Sequence, residues 1–254
     1  MAARDTILTH LDDLLEVAAF DDYGPNGLQV PGALEIDTVA TGVSAGLEVF
    51  ERAACEGAQL VLCHHGLFWE GQPRALTPTM ASRLRALLEH DVSLAAYHLP
   101  LDAHPELGNN ALLADALGVI DRKPFASHRG RTIGVRGRLG RDGLPAEELV
   151  DRVVRACGGR PPLVFAGGPE RIGTIGIVSG GAARTVSEAI ALGLDAFLTG
   201  EPTESVMTEA LEGGIHFLAA GHYATETHGI RALGDHVADR FDVRHVFVDV
   251  PNPV

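Results

Sequence analysis

Basic residues are in short supply in this chain. Lys and Arg number 20 against 34 Asp and Glu over 254 residues, a net charge of -14. The long-range field therefore repels phosphate backbones and anionic lipid, which argues against a nucleic-acid coat. Cysteine is equally scarce. Cys55, Cys63 and Cys157 are odd in number and lack CxxC spacing, so they support neither a disulfide framework nor a thiolate zinc site. Long apolar runs are missing too. A stretch such as Val92 to Tyr97, interrupted by Ser93, falls far short of the roughly 20 residues that span a bilayer. The N-terminal segment carries Asp12, Asp13 and Glu16 where a signal peptide needs a charge-free apolar core. No membrane span is expected, and the chain is expected to stay in the cytoplasm. What is present is 46% hydrophobic residues, enough to bury a substantial core in one large domain or two ordinary ones and to rule out a disordered or fibrous chain.

Apolar residues at Ile7, Leu8, Leu11, Leu14, Leu15 and Ala18 recur at helical spacing and predict a helix over 5–19. A turn rich in Asp, Gly, Pro and Asn follows at Asp21–Gly27, and Leu28-Gln29-Val30 resumes an apolar rhythm. Strands are then expected near 38–43, 59–63, 92–97, 131–138, 172–178, 195–199, 215–219 and 243–249. Helices are expected near 46–57, 79–90, 109–117, 145–156, 183–192, 203–213 and 226–240. Such alternation is an α/β pattern. Asp121-Arg122-Lys123-Pro124 is the candidate linker.

The segment from Asp37 to His65 resembles that from Gly173 to Glu201 at a constant offset of 136 residues. Each copy reads strand, helix, strand; the first ends at His64-His65 and the second at Gly200-Glu201. Parallel crossovers of this kind bring strand ends to one edge, and ligand sites in open α/β sheets lie outside those carboxyl ends. Two similar α/β domains are expected: a metal-binding one of residues 1–124 plus 220–254, and a second of residues 125–219.

Four of the 12 histidines, His64, His65, His98 and His222, sit in three clusters, two of them with a carboxylate four residues on. His64-His65 closes an apolar strand. If the strand continued, the two imidazoles would point to opposite faces, which suits two neighbouring ions better than one, although backbone hydrogen bonding at a strand end accounts for such a pair equally well. His98 and Asp102 in Tyr97-His98-Leu99-Pro100-Leu101-Asp102 follow another strand, on a loop that Pro100 keeps from forming a regular helix. His222 and Glu226 in Gly221-His222-Tyr223-Ala224-Thr225-Glu226 follow a third, at i, i+4 spacing on one helical face. Here Thr225 or Thr227 could equally be helix caps and Glu226 a partner of the helix dipole. A catalytic zinc-like site takes three protein ligands plus water, whereas His64, His65, Asp102, His222 and Glu226 make five. The surplus fits a second ion, with Glu226 as the bridging candidate. Paired ions can hold a hydroxide and clamp substrate oxygens during hydrolysis. Nitrogen and oxygen ligation suits Zn, Fe, Mn, Co or Ni.

Other features admit two readings. Ser179-Gly180-Gly181 before a helix could cradle a phosphate but lacks the P-loop lysine, and a plain turn accounts for it. Glu201 could be a general base or a hydrogen-bond partner of a ligand. Phe68 and Trp69 could stack a heterocyclic base or pack a core or subunit contact.

The motifs Asp22-Tyr23-Gly24-Pro25-Asn26-Gly27-Leu28-Gln29-Val30, Cys63-His64-His65-Gly66-Leu67-Phe68-Trp69, Tyr97-His98-Leu99-Pro100-Leu101-Asp102, Thr199-Gly200-Glu201 and Gly221-His222-Tyr223-Ala224-Thr225-Glu226 together resemble the Nif-three-like dinuclear-metal proteins, many of them labelled GTP cyclohydrolase I type 2 homologues. The resemblance runs from the first helix to the terminal Val248–Pro253. It implies two α/β domains per chain in a toroidal homohexamer with metal sites facing its interior. It also implies two divalent ions per chain, one on His65 and Asp102 and the other on His64 and His222, with Glu226 shared and His98 beside them as a catalytic candidate. Many relatives carry proline at the position of Gly66. The function it implies is metal-dependent hydrolysis of a small molecule by an activated water, on purine nucleotides if the family label holds. The competing expectation is a non-catalytic oligomeric metal-binding or adaptor protein.

Overall fold

The computed structural model describes all residues, Met1–Val254. The strands of its two large sheets are, in chain order, β1 (Gly27–Val30), β2 (Thr38–Ser44), β3 (Leu60–His65), β4 (Ser93–Ala96), β5 (Ile120–His128), β6 (Arg131–Arg138), β7 (Leu163–Ala166), β8 (Thr174–Ile177), β9 (Ala196–Thr199), β10 (His216–Ala219) and β11 (Arg244–Phe247). The helices are α1 (Arg4–Leu14), α2 (Leu47–Cys55), α3 (Pro78–Glu89), α4 (Leu99–Ala103), α5 (Asn109–Leu117), α6 (Ala146–Ala156), α7 (Val186–Ala191), α8 (Val206–Glu212), α9 (His222–Thr225) and α10 (Thr227–Phe241). Every strand and helix expected over 38–249 is present, with ends displaced by a few residues; the first helix is shorter, ending at Leu14 with a 3-10 turn at Val17–Ala19. Local chemistry explains several boundaries. Pro78 opens α3, where the Thr77 hydroxyl accepts from the Met80 N–H, and left-handed Gly118 closes α5. No helix is long and apolar enough to cross a membrane. The three cysteines are free, and burial pushes the Cys63 thiol up and that of Cys157 to about 12.

The chain forms two compact units, Met1–Leu101 with Gly229–Val250, and Asp102–His228 with Pro251–Val254. These boundaries differ from the expected 1–124 plus 220–254 and 125–219. The physical reason is burial: Leu113, Ala114, Leu117 and Val119 join the same apolar cluster as Leu149, Ile175 and Leu198 of the second unit. The expected linker Asp121–Pro124 is part of strand β5. Proline is tolerated there because β5 is the outermost strand of its sheet.

In the first unit the order is β11-β2-β3-β4-β1, with β11, β2, β3 and β4 parallel and β1 antiparallel to β4. One face packs Ala40, Val61, Cys63 and Leu94 against Val49, Phe50 and Ala53 of α2 and Leu87 of α3. α1 and α10 meet through the stacked rings of His10 and His236, 5.1 Å between centroids.

In the second unit the order is β7-β10-β9-β8-β6-β5, with a parallel centre of β10, β9 and β8. Residues alternate between two cores, as the period of two requires. Ala196, Leu198, Ile175 and Ile177 face α5 and α6; Phe197 and Phe217 face α7 and α8. The repeat seen in the sequence reappears in the pairing register. Val39, Ala40 and Thr41 pair with Leu60, Val61 and Leu62, and Ile175, Gly176 and Ile177 pair with Ala196, Phe197 and Leu198, every residue displaced by 136.

Candidate metal centre

Each unit gathers candidate ligands at the carboxyl ends of its parallel strands, the edge at which open α/β sheets bind ligands. In the first unit β3 ends on His64-His65, and β4 runs into Tyr97-His98. The rings of His64 and His65 do not diverge to opposite faces. The strand stops at His65, and the rings lie 4.7 Å apart at 46°. His98 joins them, 5.1 Å from His64 and 5.6 Å from His65 between centroids. One nitrogen from each of the three rings lies within 4.8 Å of the others.

Hydrogen bonds orient these imidazoles through Nδ1. His64, fully buried, donates from Nδ1 to the Tyr97 carbonyl at 3.0 Å. His65 Nδ1 is 3.2 Å from the Ser44 hydroxyl. His98 donates from Nδ1 to Asp22 Oδ1 at 2.8 Å. In His64 and His98, donation from Nδ1 leaves Nε2 as the lone-pair nitrogen, the arrangement by which proteins prepare a histidine for a metal or a proton.

Asp22 is a residue that composition and spacing did not single out, although its turn did. Its Oδ2 accepts from the Leu99 N–H at 3.0 Å and the Asn26 amide at 2.9 Å, while Asn26 Oδ1 accepts from the His98 N–H at 2.8 Å. Burial pushes the Asp22 carboxyl up, but the hydrogen bond and charge of His98, with the Asn26 and Leu99 donors, outweigh it and hold the pKa at about 2. The Asp-Tyr-Gly-Pro-Asn turn is thus the clamp that positions His98. Trp69 stands edge-on to His98 with centroids 5.1 Å apart and donates from its indole to the Gly66 carbonyl at 2.9 Å.

Gly66 sits under Gln29. A Cβ there would meet Gln29 Nε2 at 2.2 Å, and Gln29 bonds the Leu67 N–H and the Pro25 carbonyl, both at 2.7 Å. The small residue leaves that space to Gln29.

In the second unit β10 leads into Ala220-Gly221 and the short helix α9, with Glu226 just beyond it and α10 starting at Thr227. The continuous helix expected here is interrupted at Glu226, yet His222 and Glu226 still meet, His222 Nε2 lying 3.1 Å from Glu226 Oε2. Glu201, at the end of β9, takes the other ring nitrogen, Nδ1. Burial works against a charge on His222, but the hydrogen bonds and charges of Glu226 and Glu201 raise its pKa to about 9. Glu201 therefore acts as the partner that orients His222. Thr225 is not an N-terminal cap; it receives the Gly180 N–H at 3.1 Å and reaches back to the Gly221 carbonyl at 2.9 Å.

Asp102 lies on the short helix α4 and not on the loop expected, because Pro100 falls in its first turn, where no helical N–H is needed; it is buried in the same unit. Its Oδ1 accepts from the Asn109 amide at 2.8 Å and the Ser179 hydroxyl at 3.1 Å, and Ser179 is placed by its own N–H donating to Asn110 Oδ1 at 2.7 Å. The Ser179-Gly180-Gly181 turn is thus occupied by carboxylates. Gly180 has φ +65°, and a Cβ there would lie 2.1 Å from Glu226 Oε1 and 3.1 Å from His222 Nε2. That is the cradle of the Glu226 carboxylate. Asn109 is a contribution no local pattern announced, whereas the Ser179-Gly180 turn, legible in the sequence as a possible phosphate cradle or plain turn, faces the carboxylates of Asp102 and Glu226 instead.

In each unit the candidate donors have hydrogen-bonded outer partners, imidazoles in the first and an imidazole with carboxylates in the second, where a glycine also cradles Glu226; donors of these types suit a borderline divalent cation.

The whole chain, residues 2–253, matches the family model described as Duf34/NIF3 (NGG1p interacting factor 3). A protein of Pseudomonas aeruginosa named "GTP cyclohydrolase 1 type 2 homolog" is 43% identical over 251 residues, 99% of this chain and 98% of that one. Among solved structures, one described as "Structural genomics, protein ybgI, unknown function" superposes with TM-score 0.93 at 38% identity, covering 100% of both chains. TTHA1606 from Thermus thermophilus does so with TM-score 0.91 at 36% identity, again over 100% of both. With its strand-end histidines, its mixed α/β fold and these matches along its full length, the chain belongs to the DUF34/NIF3 family.

Proposed function

We infer that this protein binds two divalent metal ions per chain and is a metal-dependent hydrolase of a small molecule. His64 and His65 are the ligands from its first unit, and Asp102, His222 and Glu226 those from its second. The observation that carries the reading is orientation. The histidines of the strand ends are engaged through Nδ1 by the Tyr97 carbonyl, the Ser44 hydroxyl, Asp22 and Glu201, a degree of outer support that a merely structural histidine does not need. Bound divalent ions of this class lower the pKa of water toward 7 and polarise an electrophile. The chain's own contribution is positional. Asp22 holds a proton on His98 Nδ1, so that His98 Nε2 is the atom to exchange a proton with substrate. Glu201 and Ser179 keep His222 and Asp102 from rotating away. The relatives' names support a purine nucleotide as the substrate class, and the family resemblance supports assembly as a homohexamer.

The test is elemental analysis of purified protein, followed by a hydrolysis panel that includes purine nucleotides with Zn, Fe, Mn, Co or Ni added back. Two equivalents per chain and hydrolysis restored by metal are expected. A chain that holds no ion in excess metal refutes the reading. Two ions with no hydrolysis across the panel would leave a non-catalytic metal-binding role.

A further inference from the structure

A second concentration of charge lies away from these ligands, in the β5–β6 hairpin of the second unit. Of the chain's 20 basic residues, seven fall between Arg122 and Arg141, a stretch with no acidic residue. In the antiparallel register Lys123 stands directly opposite Arg136, and Arg138, two residues along β6, shares their face. Like charges directly opposite each other are unfavourable in a sheet. Their backbones pair in the ladder, but neither the Lys123 nor the Arg136 side chain makes a hydrogen bond or ion pair within the chain, despite its large acidic excess. Arg122, by contrast, is engaged by Asp115 and by the carbonyl of Val119 at 3.0 Å.

Lysine and proline on an outermost strand deter unwanted strand pairing. That accounts for Lys123 and Pro124 but not for arginines on the inner strand β6. These side chains line a cavity of about 480 Å³ together with Asp121, Gly137, Thr174 and Leu194, a size that suits a small organic ligand. The strand is irregular between Ile120 and Lys123, and Asp121 there has φ +51°. Such bulges re-aim the side chains beside them.

We propose that this cavity is a binding site for a small phosphate monoester. Lys123 and Arg136 hold the phosphate, Arg136 through its planar fork and Lys123 as a point charge. Arg138 completes the cationic wall. The Asp121 carboxylate suits a ligand hydroxyl and Leu194 an apolar portion of its body. The site is distinct from the histidine and carboxylate groups above and does not depend on them.

Lys123 is the only lysine of the chain, so protein labelled with 13C-lysine carries one ε-methylene signal, a private reporter of the cavity. Titrating the full chain with ribose 5-phosphate is expected to shift that signal saturably. Inorganic phosphate should act more weakly, and chloride at equal ionic strength should produce no saturable shift. The response should be the same in metal-loaded and chelator-treated protein, which separates this site from the metal centre. Arg136→Gln should weaken binding at least tenfold. Lys123→Gln, followed by 31P line broadening of the same probe, should do likewise while the melting temperature stays near wild type. A linear response matched by chloride, or unchanged affinity in both variants, overturns the proposal. So does a shift that follows protein concentration alone, which would assign the cations to another copy of the chain. Tighter binding of single-stranded DNA than of ribose 5-phosphate would overturn it in favour of a nucleic-acid surface.

Discussion

Gly180 offers a test in which the metal centre and the backbone can be separated. Gly180→Ala places a methyl group on a residue with φ +65°, and Gly193→Ala does the same at φ +67°. Both substitutions incur the left-handed penalty of an L residue, about 1–2 kcal/mol. They differ in what the new Cβ meets. At Gly193 nothing lies within 4 Å, whereas at Gly180 Glu226 Oε1 lies at 2.1 Å and His222 Nε2 at 3.1 Å. Ordinary carbon contacts need about 3.5 Å, so the Glu226 carboxylate must retreat by more than 1 Å. It is nearly inaccessible, 2% exposed, and has little room to do so. Metal sites tolerate ligand errors of only about 0.2 Å.

Both variants are therefore expected to melt a few degrees below wild type in chelator, at roughly 2–4 °C per kcal/mol for a chain of this length. Only Gly180→Ala should lose metal, with affinity falling at least the roughly 10–100-fold that follows loss of an outer partner. Calorimetric melts with and without chelator, alongside elemental analysis at limiting metal, measure both effects. Wild-type metal content in Gly180→Ala would refute the assignment of Glu226. An equal metal loss in Gly193→Ala would show that backbone strain, not the carboxylate, governs the outcome.

The two adjacent histidines should act as separate probes: His64→Ala and His65→Ala each retain close to one ion per chain, whereas Glu226→Ala is depleted of both and inactive, as metal stoichiometry and hydrolysis will show. Asp22→Asn tests the clamp on His98. The native carboxyl is held at about 2 against an ordinary 3.8, so its stabilisation is present above about pH 4 and lost as pH falls through about 2. At roughly 1.4 kcal/mol per pKa unit, the variant should be about 2 kcal/mol less stable at neutral pH and converge with wild type near pH 2; parallel denaturation curves across that range would contradict the ion pair. Light scattering should report a homo-oligomer, most simply a hexamer, and a mass near 27 kDa at every concentration would exclude it. Duplex DNA should show no appreciable binding at physiological salt, given the net charge of -14, and submicromolar salt-sensitive binding would reverse that conclusion.

Much of this protein follows from short-range pattern. The periodicity of Leu60–Cys63 and of Phe217–Ala219 announces strands, and the polar residues after them, His64-His65 and His222, announce a site at the strand ends, because a buried strand is apolar until it emerges at its edge. Even the pairing of β8 with β9 was implicit, since the displacement of 136 that relates the two sequence segments also relates the two sets of paired residues. Tertiary structure decided what supports those residues and where the units divide. Asp22 meets His98 across 76 positions, Ser179 meets Asp102 across 77, and Thr225 meets Gly180 across 45. No local propensity encodes such meetings, which depend on which strands become neighbours. The same holds for Asp121–Pro124. Polar residues and a proline resemble a linker locally, but the segment pairs with β6 because the outer side of an edge strand needs no hydrogen-bond donor and its flanking residues, Val119 and Phe125, are buried in the second unit. Burial, a property of the assembled sheet, placed Asp102 in that unit and not in the one its sequence neighbours form.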